Sequence, residues 1–214
     1  IFRIISLMLA MSLMLGAISV TLTSCNKEVD PIDDNYRTFY QIFVGSFSDS
    51  NEDGIGDLRG IINRFDYLND GDINSGKSLG IQGIWLSPIF TSPTYHKYDT
   101  TNYYEIDPKF GTMDDLKELI ALCEERNVKL ILDLVINHTS HMHPWFKEFK
   151  EARRNKDVEN KYYDFYTCVT SEEKLPGKTY NYLTSIYYYE CNFSSEMPEL
   201  NYDNPEVREE MLNV

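Results

Sequence analysis

The chain has 214 residues, 42% of them hydrophobic and 14% aromatic, which is enough to bury a core and excludes a chain disordered by composition. Its formal charge of −14 excludes nucleic acid as a natural partner, because such a surface repels phosphates. Sixteen Tyr, eleven Phe and two Trp supply many flat faces, which pack cores and can also stack on sugar rings.

The first 25 residues carry Arg3 as their charged group and run almost without polarity from Leu7 to Val20 before ending in Leu22-Thr23-Ser24-Cys25. Interrupted by Ser12 and Ser19 and closed by small residues, this stretch reads as an export signal rather than a permanent membrane span. Its end looks like a bacterial lipobox, which implies that Cys25 becomes a lipid-bearing first residue and anchors the protein to a membrane. Asn26-Lys27-Glu28-Val29-Asp30 resembles the short charged signal that sends some bacterial lipoproteins to the cell surface, so an outer-membrane or surface location is expected. Residues 26–36 are polar, contain Pro31 and suit a tether.

Tyr40, Ile42 and Val44 alternate within Thr38 to Phe47, which predicts a first strand. An acidic loop from Asp49 to Asp57 follows, and then Leu58, Ile61, Ile62, Phe65 and Leu68 recur at helical spacing. Ile81 to Ser87, stopped by Pro88, predicts a second strand buried on both faces. Phe90 to Gly111 reads as a long polar and aromatic loop. Thr112 opens a second helix in capping-box style with Asp115, and Leu116, Leu119, Ile120 and Cys123 form its buried stripe. Val128 to Ile136 predicts a third strand. This alternation of strands and helices implies right-handed parallel units with helices outside the sheet.

From Thr139 to about Pro198 the periodicity collapses into aromatic and polar residues, which predicts an excursion with structure of its own. Asn204 and Pro205 then cap and start another helix. Export permits disulfides; Cys123 falls on a helix's apolar face, leaving Cys168 and Cys191 as a pair able to bridge. His138, His141 and His143 have a spacing that fits no helix, and no thiolate joins them, which argues against zinc.

Asp49, Asn51, Asp53 and Asp57 place oxygen side chains at alternate positions around Gly54, like the first part of an EF-hand calcium loop. The pattern departs at its twelfth position, Gly60, where no bidentate glutamate closes the loop. Four hard oxygen side chains crowded together repel one another unless a cation gathers them.

Four motifs carry a family resemblance. Gly80 to Ile89, Tyr98-Asp99, Asp133 to His138 and Met197 to Asn201 occur in the order and spacing of the alpha-amylase family, glycoside hydrolase family 13. The resemblance covers Arg37 to Val214 and implies an α/β fold, a (β/α)8 TIM barrel of which the first three strands are present, with a small domain inserted after the third. The expected organisation is a signal peptide at 1–25, a tether at 26–36, barrel at 37–138, an inserted domain at 139–200 and a return to the barrel at 201–214. Active sites of such barrels sit at the C-terminal ends of the strands.

The resemblance implies that Tyr98 stacks on the sugar in the cleavage subsite, that Asp99 helps orient that end of the site and that His138 donates hydrogen bonds to sugar hydroxyls. It gives Asp133 a role in orienting neighbouring groups. It assigns a structural Ca2+ to Asp49, Asn51, Asp53, the Ile55 carbonyl and Asp57, and allows a second calcium site at Asn137. The implied activity is retaining hydrolysis of α-1,4-glucosidic bonds in starch-like glucans, with an α-glucan or malto-oligosaccharide as substrate. Retention needs a nucleophilic and an acidic carboxylate about 5 Å apart, and in the family both follow later strands, so the catalytic carboxylates are expected beyond Val214. The missing initiator Met fits a gene fragment. Glu199 stands where the family usually has Asp, which leaves oligo-1,6-glucosidase, neopullulanase and transglycosylase specificities open. A non-catalytic glucan-binding lipoprotein on the same fold is the rival from another class.

Overall fold

Strand β1 (Phe39–Ile42) runs parallel to β2 (Gly83–Leu86), and β2 runs parallel to β5 (Lys129–Leu132), in a computed structural model that describes residues 37–72 and 74–214. The export segment, Cys25 and the tether lie outside the described residues. Gln41, Trp85 and Ile131 stand side by side in the register, as do Ile42, Leu86 and Leu132 one position on. Because side chains alternate across a strand, these two rows face opposite ways. Ile42, Ile84 and Leu86 are buried, whereas Trp85 is 40% and Ile131 46% exposed. The second strand is therefore buried on one face, not both. Helices α2 (Leu58–Asn63), α3 (Phe65–Leu68) and α4 (Met113–Glu125) cover that face, and no described element covers the other.

The first strand ends earlier than its alternation predicts. After Phe43 the chain coils into α1 (Val44–Phe47), whose Gly45 carbonyl accepts the Gly56 amide while the Ser48 carbonyl accepts that of Asp57. Closing the acidic loop in this way replaces the second half of the expected strand. The helix expected from Leu58 to Leu68 is split at Arg64, yet Leu58, Ile61, Phe65 and Leu68 are all buried as the spacing requires.

Gly60 belongs to α2 for a steric reason. A Cβ there would lie 1.9 Å from the Ser48 carbonyl oxygen, so only glycine lets the two segments touch. The stretch read as a loop from Phe90 to Gly111 contains an antiparallel pair, β3 (Phe90–Thr91) and β4 (Asn102–Ile106).

Helix α4 begins as its sequence predicts. Thr112 Oγ1 accepts the Asp115 amide at 3.2 Å and Asp115 Oδ2 accepts the Thr112 amide at 2.9 Å. Leu116, Leu119 and Cys123 are buried, but Ile120 is 38% exposed and lies outside the stripe.

After β5 come α5 (Pro144–Asn155) and an antiparallel sheet of β6 (Cys168–Thr170), β8 (Tyr187–Glu190) and β7 (Tyr180–Thr184), in that spatial order. Phe146, Phe149, Phe165, Tyr166 and Tyr189 pack there in a second core, together with Tyr103 of β4 and Val207 of α6 (Pro205–Asn213). The Asn204 side chain accepts the Glu206 amide, the expected cap of α6. Both ends of this excursion meet, with Thr139 donating to the Pro198 carbonyl and Leu200 to that of Asn137. The Cys168–Cys191 bridge that the sequence allows is not formed: Cys168 stands opposite Tyr189 rather than Cys191, and both thiols are free.

Candidate functional site

Asp133 directly follows β5 and continues its register by donating its amide to the Leu86 carbonyl at 3.2 Å. It opens a cavity of about 600 Å³ whose wall includes Tyr98, Asp133, Ile136, His138, Phe193 and Met197. Elements distant in sequence meet there: the turn between β3 and β4, the end of β5, and the segment returning from the antiparallel sheet.

Tyr98 Oη donates to Asp133 Oδ2 at 2.8 Å, and this bond to a carboxylate raises the phenol above its ordinary pKa. The Tyr98 ring, 38% exposed, is thereby held from its tip. Its backbone is held by two imidazoles. His96 Nδ1 accepts the Tyr98 amide at 3.1 Å, and His138 Nε2 lies 3.1 Å from the Tyr98 carbonyl. A carbonyl only accepts, so His138 donates through Nε2, while Nδ1 faces the Asn137 amide nitrogen at 3.3 Å. Burial lowers the His138 pKa, keeping the ring neutral with one N–H. That N–H is committed to Tyr98. The Phe193 ring lies 5.1 Å from His138, centroid to centroid, and is 72% exposed.

Tyr98, Asp133 and His138 are thus brought together, and Asn137 lines the same cavity. Asp99 does not line it. At 1% exposure it sits behind Tyr98 and accepts hydrogen bonds from Ser92 Oγ at 2.7 Å and from Thr94 Oγ1. His96, Phe193 and Met197 are wall residues that sequence reasoning missed. His96 stands two positions before Tyr98 and was open to discovery; the other two depend on how the excursion folds back.

The acidic loop is closed by its own backbone. Asp49 accepts amides of Asn51, Glu52 and Gly54, Asn51 accepts that of Asp53, and Asp53 that of Ile55. The Gly54 amide foremost lowers the Asp49 pKa, so its carboxylate stays ionised. Asp57 faces two ways: Oδ1 caps α2 at Gly60, and Oδ2 accepts from Ser50. Among the described residues no three His, Cys, Asp or Glu side chains converge into a ready metal cage. The donors themselves are all hard oxygens carrying spare lone pairs, which fits calcium rather than a softer metal.

A family model described as alpha amylase, catalytic domain, matches residues 41–214. "Alpha-amylase 3" of Dictyoglomus thermophilum is 46% identical over 177 residues, covering 82% of this chain and 32% of that protein. An oligo-1,6-glucosidase of Bacillus cereus is 45% identical over 187 residues, covering 82% and 31%. The crystal structure of an alpha-amylase from H. orenii superposes with a TM-score of 0.73 at 47% identity, covering 83% of this chain and 36% of that one. The chain spans about a third of the length of the curated relatives it matches.

Proposed function

Given that the chain belongs to the alpha-amylase family, we propose that the complete protein hydrolyses α-1,4-glucosidic bonds of starch-like glucans with retention. The fold is that of the family's (β/α)8 barrel, of which the described residues supply three parallel strands. The observation that carries the proposal is the cavity at the end of β5, where an aromatic face, Tyr98, is pinned between Asp133 and two imidazoles. A glucose ring offers a flat patch of C–H groups to such a face and hydroxyls to the polar groups around it. His138 serves here through Tyr98, and a sugar hydroxyl reaches its Nδ1 by displacing Asn137.

Among the described residues lining the cavity, Asp133 is the only carboxylate. It is occupied by Tyr98, so the nucleophile and acid of a retaining mechanism come from residues outside this set. The test is to digest malto-oligosaccharides with the complete gene product and follow the anomer first released. Release of the α-anomer supports the proposal; no release refutes it and favours the glucan-binding reading. The 45% identity to an oligo-1,6-glucosidase supports α-1,6 cleavage as a second specificity, and parallel assays on isomaltose and maltotriose separate the two.

Calcium belongs to the same proposal. Asp49, Asn51, Asp53, the Ile55 carbonyl and Asp57 would hold it, and it would supply a fixed charge that gathers the loop and stabilises the native state by mass action. Chelator should lower the melting temperature of the wild type and leave Asp53→Ala unchanged. An indifferent wild type would reduce the loop to an acidic turn.

Sequence alone supports export and anchoring through lipidated Cys25 to an outer membrane or cell surface. Labelling with a fatty-acid probe should disappear in Cys25→Ala.

A further inference from the structure

We propose that a buried ion pair outside the sugar cavity, Lys97 with Asp107, is the positioning device that aims Tyr98 into it. The inference rests on the glycosidase reading only in what the cavity binds. Lys97 adopts a φ of +66°, a left-handed conformation that is costly for a residue with a Cβ. This one dihedral sets the direction in which the chain presents Tyr98, the next residue.

What holds it is the side chain. Lys97 is 4% exposed; its Nζ donates to Asp107 Oδ2 at 2.6 Å and to the Ser92 carbonyl at 3.1 Å, and lies 5.3 Å from the centre of the Phe110 ring. Asp107, also 4% exposed, has both oxygens engaged: Oδ2 also accepts the Ser92 amide at 3.2 Å and Oδ1 the Lys109 amide at 3.0 Å. Ser92 links this pair to the back of the site, because its hydroxyl donates to Asp99 Oδ1 at 2.7 Å. Asp107 itself is fixed to the frame by donating its amide to the Ile89 carbonyl at 2.9 Å, just past β2. A continuous set of bonds therefore runs from the barrel sheet through Asp107, Lys97 and Ser92 to the turn bearing His96, Tyr98 and Asp99.

A surface lysine at this position would leave the turn free to relax toward negative φ, which swings Tyr98 away from Asp133. Burying a charge pair is costly unless further hydrogen bonds support both members, and here each has bonds beyond the pair itself: Lys97 to the Ser92 carbonyl, Asp107 from the Ser92 and Lys109 amides. The cost is met where rigidity is needed, between one imidazole of the wall, His96, and its aromatic, Tyr98.

The test uses the complete gene product. Lys97→Met alone would leave the Asp107 carboxylate buried without its partner and risks misfolding, so the decisive variant is Lys97→Met with Asp107→Asn, which removes both charges. It is compared with Lys97→Arg, which keeps the charge. At a temperature where the double variant is folded, KM for maltotriose should rise on the order of tenfold with kcat changed far less, because ground-state contacts at the wall are loosened. Lys97→Arg should recover much of that loss. A crystal structure of the double variant should show the bond between Tyr98 and Asp133 broken. An unchanged KM together with an intact Tyr98–Asp133 bond would make the pair a plain stability element and overturn the proposal. If the wild type leaves maltotriose untouched, the glycosidase reading fails on its own, and the crystal structure still decides the positioning role.

Discussion

His143 shows how a single buried ring ties local structure to pH. It precedes α5, and its Nδ1 accepts the Trp145 amide at 3.1 Å, capping the helix. Burial foremost, with the Lys147 charge second, lowers its pKa to about 4. A proton on Nδ1 would also abolish the cap, since the nitrogen would no longer accept. The unfolded ring titrates near its ordinary 6.5. Between these values the unfolded state holds the extra proton, so stability falls as pH drops from 6.5 towards 4 and is untouched by this group above that window. The linkage amounts to about 3 kcal/mol across the window. Denaturant titrations at pH 7 and pH 4.5 should show this loss in the wild type and a smaller one in His143→Asn, which keeps an acceptor at the cap without titrating. At this scale the sequence was partly legible. Tyr98, Asp133 and His138 were identified and do meet, but that the N–H of His138 is spent on the Tyr98 carbonyl depends on how a turn 40 residues away is folded.

Among elements, the best-read was α4, because a capping box and a four-residue stripe are local signals that tertiary contacts leave in place. Only Ile120 strayed, at the stripe's edge. The worst-read was β1, whose alternation ran on through Val44 while the backbone turned at Phe43 to close the acidic loop. The pair β3 and β4 was hidden because β3 is two residues long, β4 mixes aromatic with polar positions, and pairing partners are not written in either one. Gly60 joins both lessons. Its place at the twelfth position of a calcium-like loop looked like a missing glutamate, whereas the structure shows a helix pressed against the Ser48 carbonyl. Alanine for glycine inside a helix ordinarily stabilises by roughly 1 kcal/mol. Here the sign should reverse, with Gly60→Ala costing about 3 kcal/mol through overpacking against backbone. Urea unfolding of the two proteins checks this, and a neutral or stabilised variant would show that the contact relaxes cheaply.

At the scale of the whole molecule, two cores lie along the chain. One joins the parallel sheet to α2, α3 and α4; the other is almost wholly aromatic and joins α5 to the antiparallel sheet. The first was legible from apolar periodicity, whereas the second was not, since aromatic residues without a period say that something is buried but not against what. The described sheet also keeps one apolar face open, with Phe39, Trp85 and Ile131 each at least 40% exposed. Because the protein has two tryptophans, this asymmetry becomes optical. Trp145 is 8% exposed in the aromatic core and should emit in the blue, while Trp85 on the open face should emit towards the red. Trp85→Phe should remove the red component from the emission of this 214-residue chain. In the complete gene product, where further strands of the barrel close over that face, the same indole should turn blue and lose access to a soluble quencher, so that a single wavelength reports whether the barrel has shut.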